Sequence, residues 1–320
     1  MRRLFPRSTR RSLGLVVQPD GLALAQASAP TFDPSVSSSI TLEKLKNPAV
    51  QEVYEPGSTG KVITVAAALQ EGLVTPESVF TIPYKMKVAD QYFHDHEKHP
   101  TQRLTTAGVL AVSSNTGSIQ IGQKLGKDVL YDYLRKFGIG ESTNSKLPGE
   151  SAGILHPVKN WSGTSLPTIA FGQGYSLTAM QATSVFATIA NDGVRVSPSI
   201  LAGVVDESGK YTPAKPNDSV RVLSSQTATD MRAMMESVVS SNGTAPSAAI
   251  SGYRIAGKTG TANRFNTACK CYSGYTASFI GFAPADNPAY VISVTIQDPK
   301  GMHWGGALGG PVFKDVMSFV

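Results

Sequence analysis

Three short polar motifs, spread over about 200 residues, constrain what this chain can fold into. They are Ser58-Thr59-Gly60-Lys61, Ser113-Ser114-Asn115 and Lys258-Thr259-Gly260-Thr261, in that order. Each is weak alone, although Lys-Thr-Gly-Thr is rare by chance. Together, S-x-x-K, S-x-N and K-T-G form a known set of serine acyltransferase motifs. The set predicts a fold that gathers three distant segments around one serine, and acyl transfer through a serine ester.

The first motif supplies the predicted nucleophile and base. Ser58 and Lys61 are three residues apart at the predicted start of a helix over 62–70, which puts both side chains on one face. A serine hydroxyl is a poor nucleophile at neutral pH, so Lys61 must accept its proton and must itself be neutral. Burial and the positive end of the helix favour that neutral form. An ordinary helix with a surface lysine is the alternative, and Gly60 is expected to loosen the helix start.

The second motif is predicted to handle protons and to orient the base. Ser113 can relay a proton between Lys61 and the leaving nitrogen, and the amide of Asn115 can orient Lys61 and hold a substrate backbone group. The same string is also a good helix N-cap, and the two interpretations are compatible.

The third motif is predicted to open a strand that binds substrate. Lys258 is expected to supply a fixed positive charge for a substrate carboxylate, and Gly260 is expected to let a ligand approach the backbone. The backbone N–H of Thr261 can pair with that of Ser58 as an oxyanion hole. The alternative is an edge strand whose lysine discourages aggregation.

Charge and composition exclude some classes of function. The chain has 320 residues, 41% of them hydrophobic, and a net charge of +6. Five of the positive charges lie in the first eleven residues, so the body is nearly neutral and nucleic-acid binding has little electrostatic support. The sequence contains no run of 18 apolar residues, so we expect no membrane span in this chain.

The start of the chain has two interpretations. Ser8 to Leu13 is similar to a twin-arginine signal and Ala27-Ser28-Ala29 to a cleavage site, but Asp20 interrupts the would-be apolar region. The favoured interpretation is a strand, a turn at Pro19-Asp20-Gly21 and a second strand over 15–25. Residues 1–14 are then a disordered or misannotated start, and 15–320 form one domain.

The remaining pattern predicts an α+β fold. Helices are expected over 62–70, 105–125, 130–137, 177–191, 224–239 and 312–319, with a short helical stretch in 40–54. Strands are expected over 79–88, 253–257, 275–282 and 290–297. Late strands with helices at both ends indicate layers of helices around a sheet.

Two further clusters were weighed as sites. The first could bind a metal and consists of His94, Asp95, His96, Glu97 and His99. No well-spaced third ligand is evident elsewhere in the sequence, so a polar hairpin over the active-site entrance is favoured. Cys269 and Cys271 are predicted to be plain thiols in a loop, with a strained disulfide as the alternative. We expect no metal and no cofactor.

Several segments make the likeness closer than the motifs alone. The chain resembles class B penicillin-binding proteins, and within them the cell-division, septal transpeptidases of actinobacteria, over about residues 15–320. The likeness rests on Glu55-Pro56-Gly57-Ser58, Ser113 to Gly117, Leu147-Pro148-Gly149-Glu150, Phe171-Gly172-Gln173-Gly174, Ala190 to Gly193, Ala256 to Ala262, Cys269 to Tyr272 and Ser278 to Pro288.

The resemblance implies both a fold and an activity. The implied fold is an antiparallel sheet flanked by helices, with a mostly helical subdomain and the active site between them, as in penicillin-binding proteins and serine β-lactamases. The implied reaction joins peptidoglycan stem peptides with loss of D-alanine, and β-lactams acylate the same serine. The resemblance also implies that Lys258, Thr259 and Thr261 bind the substrate carboxylate. A septal glycosyltransferase and other division proteins are the implied partners. The implied location is the outer face of the cell membrane, with this chain lacking the anchor.

Two other functions remain open at the level of sequence. A serine β-lactamase must also deacylate, which needs a positioned carboxylate, and neither Glu141 nor Glu150 lies in the expected E-x-x-x-N loop. A non-catalytic penicillin sensor or scaffold would acylate without cross-linking. An inactive truncation is a further alternative.

Overall fold

A five-stranded antiparallel sheet lies at the centre of the fold. The computed structural model describes residues 11–215, 217–266 and 269–320. The strands in these residues are β1 Arg11–Val17, β2 Ala23–Ala29, β3 Val53–Tyr54, β4 Val79–Ile82, β5 Lys85–Val88, β6 Gln91–His94, β7 Gln102–Thr105, β8 Leu177–Thr178, β9 Val194–Val196, β10 Gly203–Val205, β11 Tyr211–Pro213, β12 Ser219–Arg221, β13 Ala256–Asn266, β14 Cys271–Ala283 and β15 Tyr290–Gln297.

The helices of the described residues follow the same order. They are α1 Leu42–Leu45, α2 Pro48–Gln51, α3 Lys61–Gln70, α4 Thr106–Ala111, α5 Asn115–Leu125, α6 Lys127–Lys136, α7 Ser165–Ala170, α8 Ala179–Ala190, α9 Ser225–Glu236 and α10 Gly305–Phe319.

The sheet joins the two ends of the described chain. The order of the strands is β13-β14-β15-β1-β2. Gln297 of β15 lies between its two neighbouring strands, opposite Arg11 of β1 on one side and Thr276 of β14 on the other. The central strands β1 and β15 are buried on both faces, and the residues of β15 that are buried include Ser293 and Thr295 beside its apolar residues. The order leaves β13, which carries the third motif, at the edge of the sheet.

Helices cover both faces of the sheet. One face of β1 packs in the core that contains α8, through Leu13, Leu15 and Val17. The other face carries Val16, which packs with Phe279 in the core that contains α10. The alternation follows from the two-residue period of a strand. Burying each of these large apolar side chains stabilises the fold by roughly 1.5–3 kcal/mol.

A helical subdomain packs beside the sheet, with α3 at its centre. Helix α3 contacts α4, α5, α6 and α9, and every residue from Lys61 to Ala68 is buried. A helix that is apolar all round must be enclosed by others, as α3 is here. The first two motifs therefore lie on the helical side of the molecule and the third lies on the sheet.

The predicted α+β class and most of the predicted helices are confirmed, with changes in position. The segment 79–88, predicted as one strand, forms the two strands β4 and β5. Strand β4 pairs with β7, and β5 pairs with β6. The strand predicted over 253–257 runs instead from Ala256 to Asn266, and the terminal helix begins at Gly305, before the predicted residue 312.

The start of the chain was predicted correctly as a strand, a turn and a second strand, but the first strand is longer. Residues 1–10 lie outside the described residues, so the prediction for them stays a prediction. Residues 11–14, assigned to the same irregular start, belong to β1 because pairing with β15 extends to Arg11.

The predicted state of the two cysteines was wrong. Cys269 and Cys271 form a disulfide at the end of the β13–β14 hairpin, with their Cα atoms 5.2 Å apart. Lys270 between them has a φ of 52°, in the left-handed region. This turn brings the two ends within the usual Cα range of a disulfide, which spacing along the sequence could not show.

Candidate active site

A tight turn presents Ser58 at the edge of a cleft. Residues Gly57–Gly60 form a 3-10 turn that runs directly into α3. Gly57 has a φ of 54°, and its N–H donates to the carbonyl of Gly172 at 2.8 Å. Gly172 lies so close to Gly57 that no side chain fits there. Ser58 itself is partly exposed, while Thr59 is buried.

Gly60 has a packing role that the sequence did not predict. A Cβ on this residue would lie on the hydroxyl of Tyr175 and 2.9 Å from the Cα of Gly172. Tyr175 is only 2% exposed, so its ring has little room to move away. The small residue in the first motif therefore accommodates a buried tyrosine.

Lys61 is fully buried and surrounded by oxygen atoms. Its Nζ donates to the Ser113 carbonyl at 2.5 Å, to the Asn115 Oδ1 at 2.7 Å and to the Ser113 Oγ at 3.2 Å. Burial lowers the pKa of Lys61 to about 7, and the negative charge of Asp95 opposes this shift. The ammonium is therefore held in place yet deprotonates near neutral pH, as a base for Ser58 requires.

The second motif is bent so that it faces Lys61. Ser113 has a φ of 61°, which is uncommon for a residue other than glycine and turns both its carbonyl and its hydroxyl toward the lysine. Ser114 caps α5 by accepting from the N–H of Gly117 at 2.9 Å, so the N-cap interpretation also holds. The contact of Asn115 with Lys61 confirms the predicted orienting contact.

Asp95 organises this motif, a role that was not predicted from the sequence. Its Oδ1 accepts from the N–H groups of Asn115 at 2.5 Å and Thr116 at 2.9 Å, and its Oδ2 accepts from the Ser114 hydroxyl at 2.7 Å. A carboxylate at a helix N-terminus satisfies donors that have no partner within the helix. Only the fold brings residue 95 to this helix start, so no local motif could identify it.

The third motif lies across the cleft on the edge strand β13. Lys258 is fully buried, and its nearest acceptors are the Thr259 carbonyl and hydroxyl, both at 3.4 Å. Burial, and then the nearby charge of Lys61, hold the pKa of Lys258 well below its usual range. These surroundings disfavour the fixed charge expected of Lys258, and an anion beside it would favour the charged form.

Gly260 allows a close approach of other parts of the protein to β13. A Cβ on this residue would lie on the Ser278 hydroxyl, 2.9 Å from the carbonyl of Pro56 and 3.0 Å from the Cγ2 of Thr59. The expectation that the glycine also lets a ligand approach the strand backbone stays a prediction. Gly260 lets β13 pack directly against the turn that carries Ser58.

The catalytic cleft has a volume of about 240 Å³ and lies where these elements meet. Ser58, Asn115 and Thr261 line it, whereas Lys61 and Lys258 are buried behind it. Thr261 is fixed by a 3.1 Å hydrogen bond that its Oγ1 accepts from the N–H of Gly305, at the start of α10. The three motifs therefore converge on one serine, as the sequence predicted.

Aromatic and imidazole rings form the outer wall of the cleft. Tyr92, Phe93, His94 and His96 line it, which agrees with a polar hairpin at the entrance. His96 contacts Trp304 edge to face, with ring centroids 4.4 Å apart, so this hairpin meets the loop before α10.

The histidine cluster is used for hydrogen bonding. The Nε2 of His99 lies 3.1 Å from the Oδ2 of Asp95, and the Nδ1 of His94 lies 2.7 Å from the Asp95 carbonyl. Within the ranges that the structure describes, no group of three or more His, Cys, Asp and Glu side chains is arranged to hold a metal.

The two carboxylates weighed for a hydrolase lie elsewhere. Glu141 pairs with Arg135. Glu150 accepts from the Ser142 hydroxyl at 2.7 Å and from the Thr143 N–H at 2.8 Å, so it fixes its own loop. Neither residue lines the cleft at Ser58.

Comparisons with known proteins agree with this geometry. The sequence profile described as "Penicillin binding protein transpeptidase domain" matches residues 13–318. The chain belongs to the penicillin-binding protein transpeptidase family. It is 40% identical over 311 residues to the penicillin-binding protein PbpB of Mycolicibacterium smegmatis, covering 94% of this chain and 48% of that protein. It is 36% identical over 321 residues to the peptidoglycan D,D-transpeptidase FtsI of Escherichia coli, covering 99% of this chain and 52% of that protein.

Solved structures confirm the fold. Penicillin-binding protein 3 of Mycobacterium tuberculosis in complex with aztreonam has a TM-score of 0.91 and 38% identity, covering 97% of this chain and 72% of that one. The class B, cell-division type and the actinobacterial likeness are confirmed by these relatives. The chain spans about half the length of the curated relatives it matches. No helix in the described part of the chain is long and apolar enough to cross a bilayer.

Proposed function

We propose that this chain is a peptidoglycan D,D-transpeptidase that cross-links stem peptides through a serine acyl-enzyme during septal wall synthesis. The observation that carries the proposal is the buried Lys61, which starts the helix directly after the Ser58 turn, is held by Ser113 and Asn115, and has a pKa that burial lowers to about 7. The names of similar proteins, D,D-transpeptidase among them, support it.

The mechanism assigns a role to each motif. Neutral Lys61 accepts the proton of Ser58 as its oxygen attacks the carbonyl of the penultimate D-alanine. Ser113 relays that proton to the nitrogen of the departing D-alanine. An acceptor amine then forms a bond to the acyl carbon, the bond from that carbon to the Ser58 oxygen breaks, and one amine proton returns to the serine.

The strand side binds and polarises the donor. The backbone N–H groups of Ser58 and Thr261 form the oxyanion hole, and Lys258 with Thr259 binds the terminal carboxylate. As an edge strand, β13 turns every second N–H away from β14, toward the cleft side. Gly260 serves by bringing this strand against the Ser58 turn.

The proposal extends to ligands and surroundings. β-Lactams acylate Ser58 because they present a reactive amide beside a carboxylate; structures of the M. tuberculosis protein with aztreonam and ampicillin support this. A septal glycosyltransferase and other division proteins are the proposed partners, at the outer face of the cell membrane. We propose no cofactor and no metal.

The test is to measure the intact mass of the protein after it is mixed with benzylpenicillin, with the Ser58→Ala variant as the control. A stable single adduct that is absent from the variant supports the nucleophile and slow deacylation. A transient adduct with drug hydrolysis would identify a β-lactamase instead. No adduct on a folded chain would contradict a catalytic role.

Adduct formation alone also fits a penicillin sensor. A peptide thioester donor with an amine acceptor separates the two, because a sensor forms the acyl-enzyme but no new amide. Detection of the amide by mass spectrometry supports transpeptidation, and its absence with an intact adduct favours the sensor.

A further inference from the structure

A second and larger cavity adjoins the catalytic cleft. Its volume is about 640 Å³, against about 240 Å³ for the cleft, and Asn263 of β13 lines both. Its walls include Tyr54 and Glu55 on one side and Arg264 and Phe265 of the edge strand on the other. The donor-binding mechanism above uses none of these residues.

Glu55 joins this cavity to the catalytic turn. It is three residues before Ser58, in the segment that leads into the 3-10 turn. Its Oε1 accepts from the N–H of Gly174 at 3.0 Å and from the hydroxyl of Tyr272 at 3.3 Å. The carboxylate is thereby fixed between the Ser58 segment and the β13–β14 hairpin.

The other carboxylate oxygen has no partner among the described residues. The Oε2 of Glu55 is buried, and so is the Tyr175 hydroxyl, which likewise has no partner in the part of the chain described. Burial is the largest influence on the pKa of Glu55 and raises it. A buried acceptor without a donor carries a desolvation cost that a bound cation or donor would relieve.

The other acids of the cavity are already paired. Glu52 forms an ion pair with Arg11, and Glu43 pairs with Arg11 and with Lys46. Among the described acids that line the cavity, Glu55 is therefore the one with an unsatisfied oxygen.

We propose that this cavity is the acceptor site, where a peptide carrying a primary amine binds with its ammonium against Glu55. The inference rests on the proposed transpeptidase function and adds the location of its second substrate. Asn263 lines both cavities and so connects the proposed amine site at Glu55 with the acyl-enzyme at Ser58. The bound ammonium releases one proton to water before its nitrogen attacks the acyl carbon.

The test is the partition of the acyl-enzyme between amine and water. A thioester donor is mixed with a synthetic stem peptide that has one side-chain amine, and the amide and acid products are quantified by mass spectrometry. Glu55→Gln keeps the shape but removes the charge, so the ratio of amide to acid is expected to fall about tenfold. Glu77→Gln, the same change at an exposed position that lines neither cavity, is the matched control.

A second variant tests the site without touching Glu55. Ile154 lines the cavity and is 47% exposed, so Ile154→Lys places a competing ammonium in the wall with little cost to folding. The amide-to-acid ratio is expected to fall, and Ile154→Met shows the effect of bulk alone.

The outcomes separate the site from the proposed function. A selective fall in the ratio, with benzylpenicillin still bound, supports the acceptor site. An unchanged ratio in both Glu55→Gln and Ile154→Lys overturns it, as does an equal loss of both products, which would make Glu55 a support for the Ser58 turn only. No adduct on the unaltered chain would overturn the proposed function itself.

Discussion

The two buried lysines of the active site differ in how completely the protein surrounds them. Lys61, on the helical side, has three oxygen acceptors within 3.2 Å from two residues of another motif. Lys258, on the strand side, has two at 3.4 Å, both from its own neighbour Thr259. Both side chains are fully buried, so burial alone does not explain the difference.

The difference separates a preorganised group from an incomplete one. Lys61 is held in position before any ligand arrives, as a base must be. Among the described residues, the acceptors closest to the Nζ of Lys258 lie at 3.4 Å, and a carboxylate beside it would favour its charged form. We therefore expect the helical side to control the rate of chemistry and the strand side to control which ligands bind.

The largest effect is expected from Lys61→Met. Losing the base should slow acylation by benzylpenicillin about a thousandfold, measured by intact mass against time. Lys124→Met, at an exposed position on α5, is the control. A loss of less than tenfold would mean that another group accepts the Ser58 proton.

The next effect concerns Lys258→Met. Donors with a free terminal carboxylate should react about 10- to 100-fold more slowly, whereas their methyl esters should change little, since only the former need the charge. The measurement is acylation rate for matched acid and ester donors. Equal losses for both would assign Lys258 a purely structural role and erase the contrast with Lys61.

The pH dependence follows from the lowered pKa of Lys61. Lys61 is protonated and inactive below its pKa of about 7, so the acylation rate should rise about tenfold per pH unit up to that value and then level. The stability of the fold depends on pH in the same direction. Between about pH 7 and pH 10.5 the unfolded chain binds more protons than the folded chain, so the free energy of unfolding rises with pH there. A rate that does not change below pH 7 would contradict the assignment.

Asp95→Asn tests the support behind the helical side. The change removes a negative charge that favours protonated Lys61, so the acidic limb of the rate profile should move to lower pH. The rate should also fall about tenfold, because Asn115 and Thr116 lose a charge-assisted acceptor. Glu77→Gln should move neither. A shift to higher pH would contradict the electrostatic assignment.

The smallest effect is expected from Gly60→Ala. A methyl group here meets Tyr175 and Gly172, and such overpacking costs about 1–3 kcal/mol, seen as a lower Tm. Gly108→Ala in α4, where the nearest atom would lie at 3.4 Å, should instead stabilise by about 0.5–1 kcal/mol. Equal Tm changes would show that the turn tolerates side chains.

Much of the fold was predictable because its signals are local. The apolar run of α3 and the strands near 275–297 were identified from periodicity, and the disulfide was missed because it depends on the turn at Lys270. The edge position of β13 and the early start of α10 depend on packing between distant segments.

The sequence by itself determined which residues are proposed as the catalytic groups, since Ser58, Lys61, Asn115 and Lys258 belong to motifs whose order and chemistry can be recognised without a structure. The tertiary structure decided their electrostatics and their supports. The pKa of Lys61 depends on burial by the surrounding helices, Asp95 reaches α5 only through the fold, and Gly260 lies against the turn that carries Ser58. Motifs specify residue types, whereas solvation and contact arise from parts of the chain that are far apart in sequence.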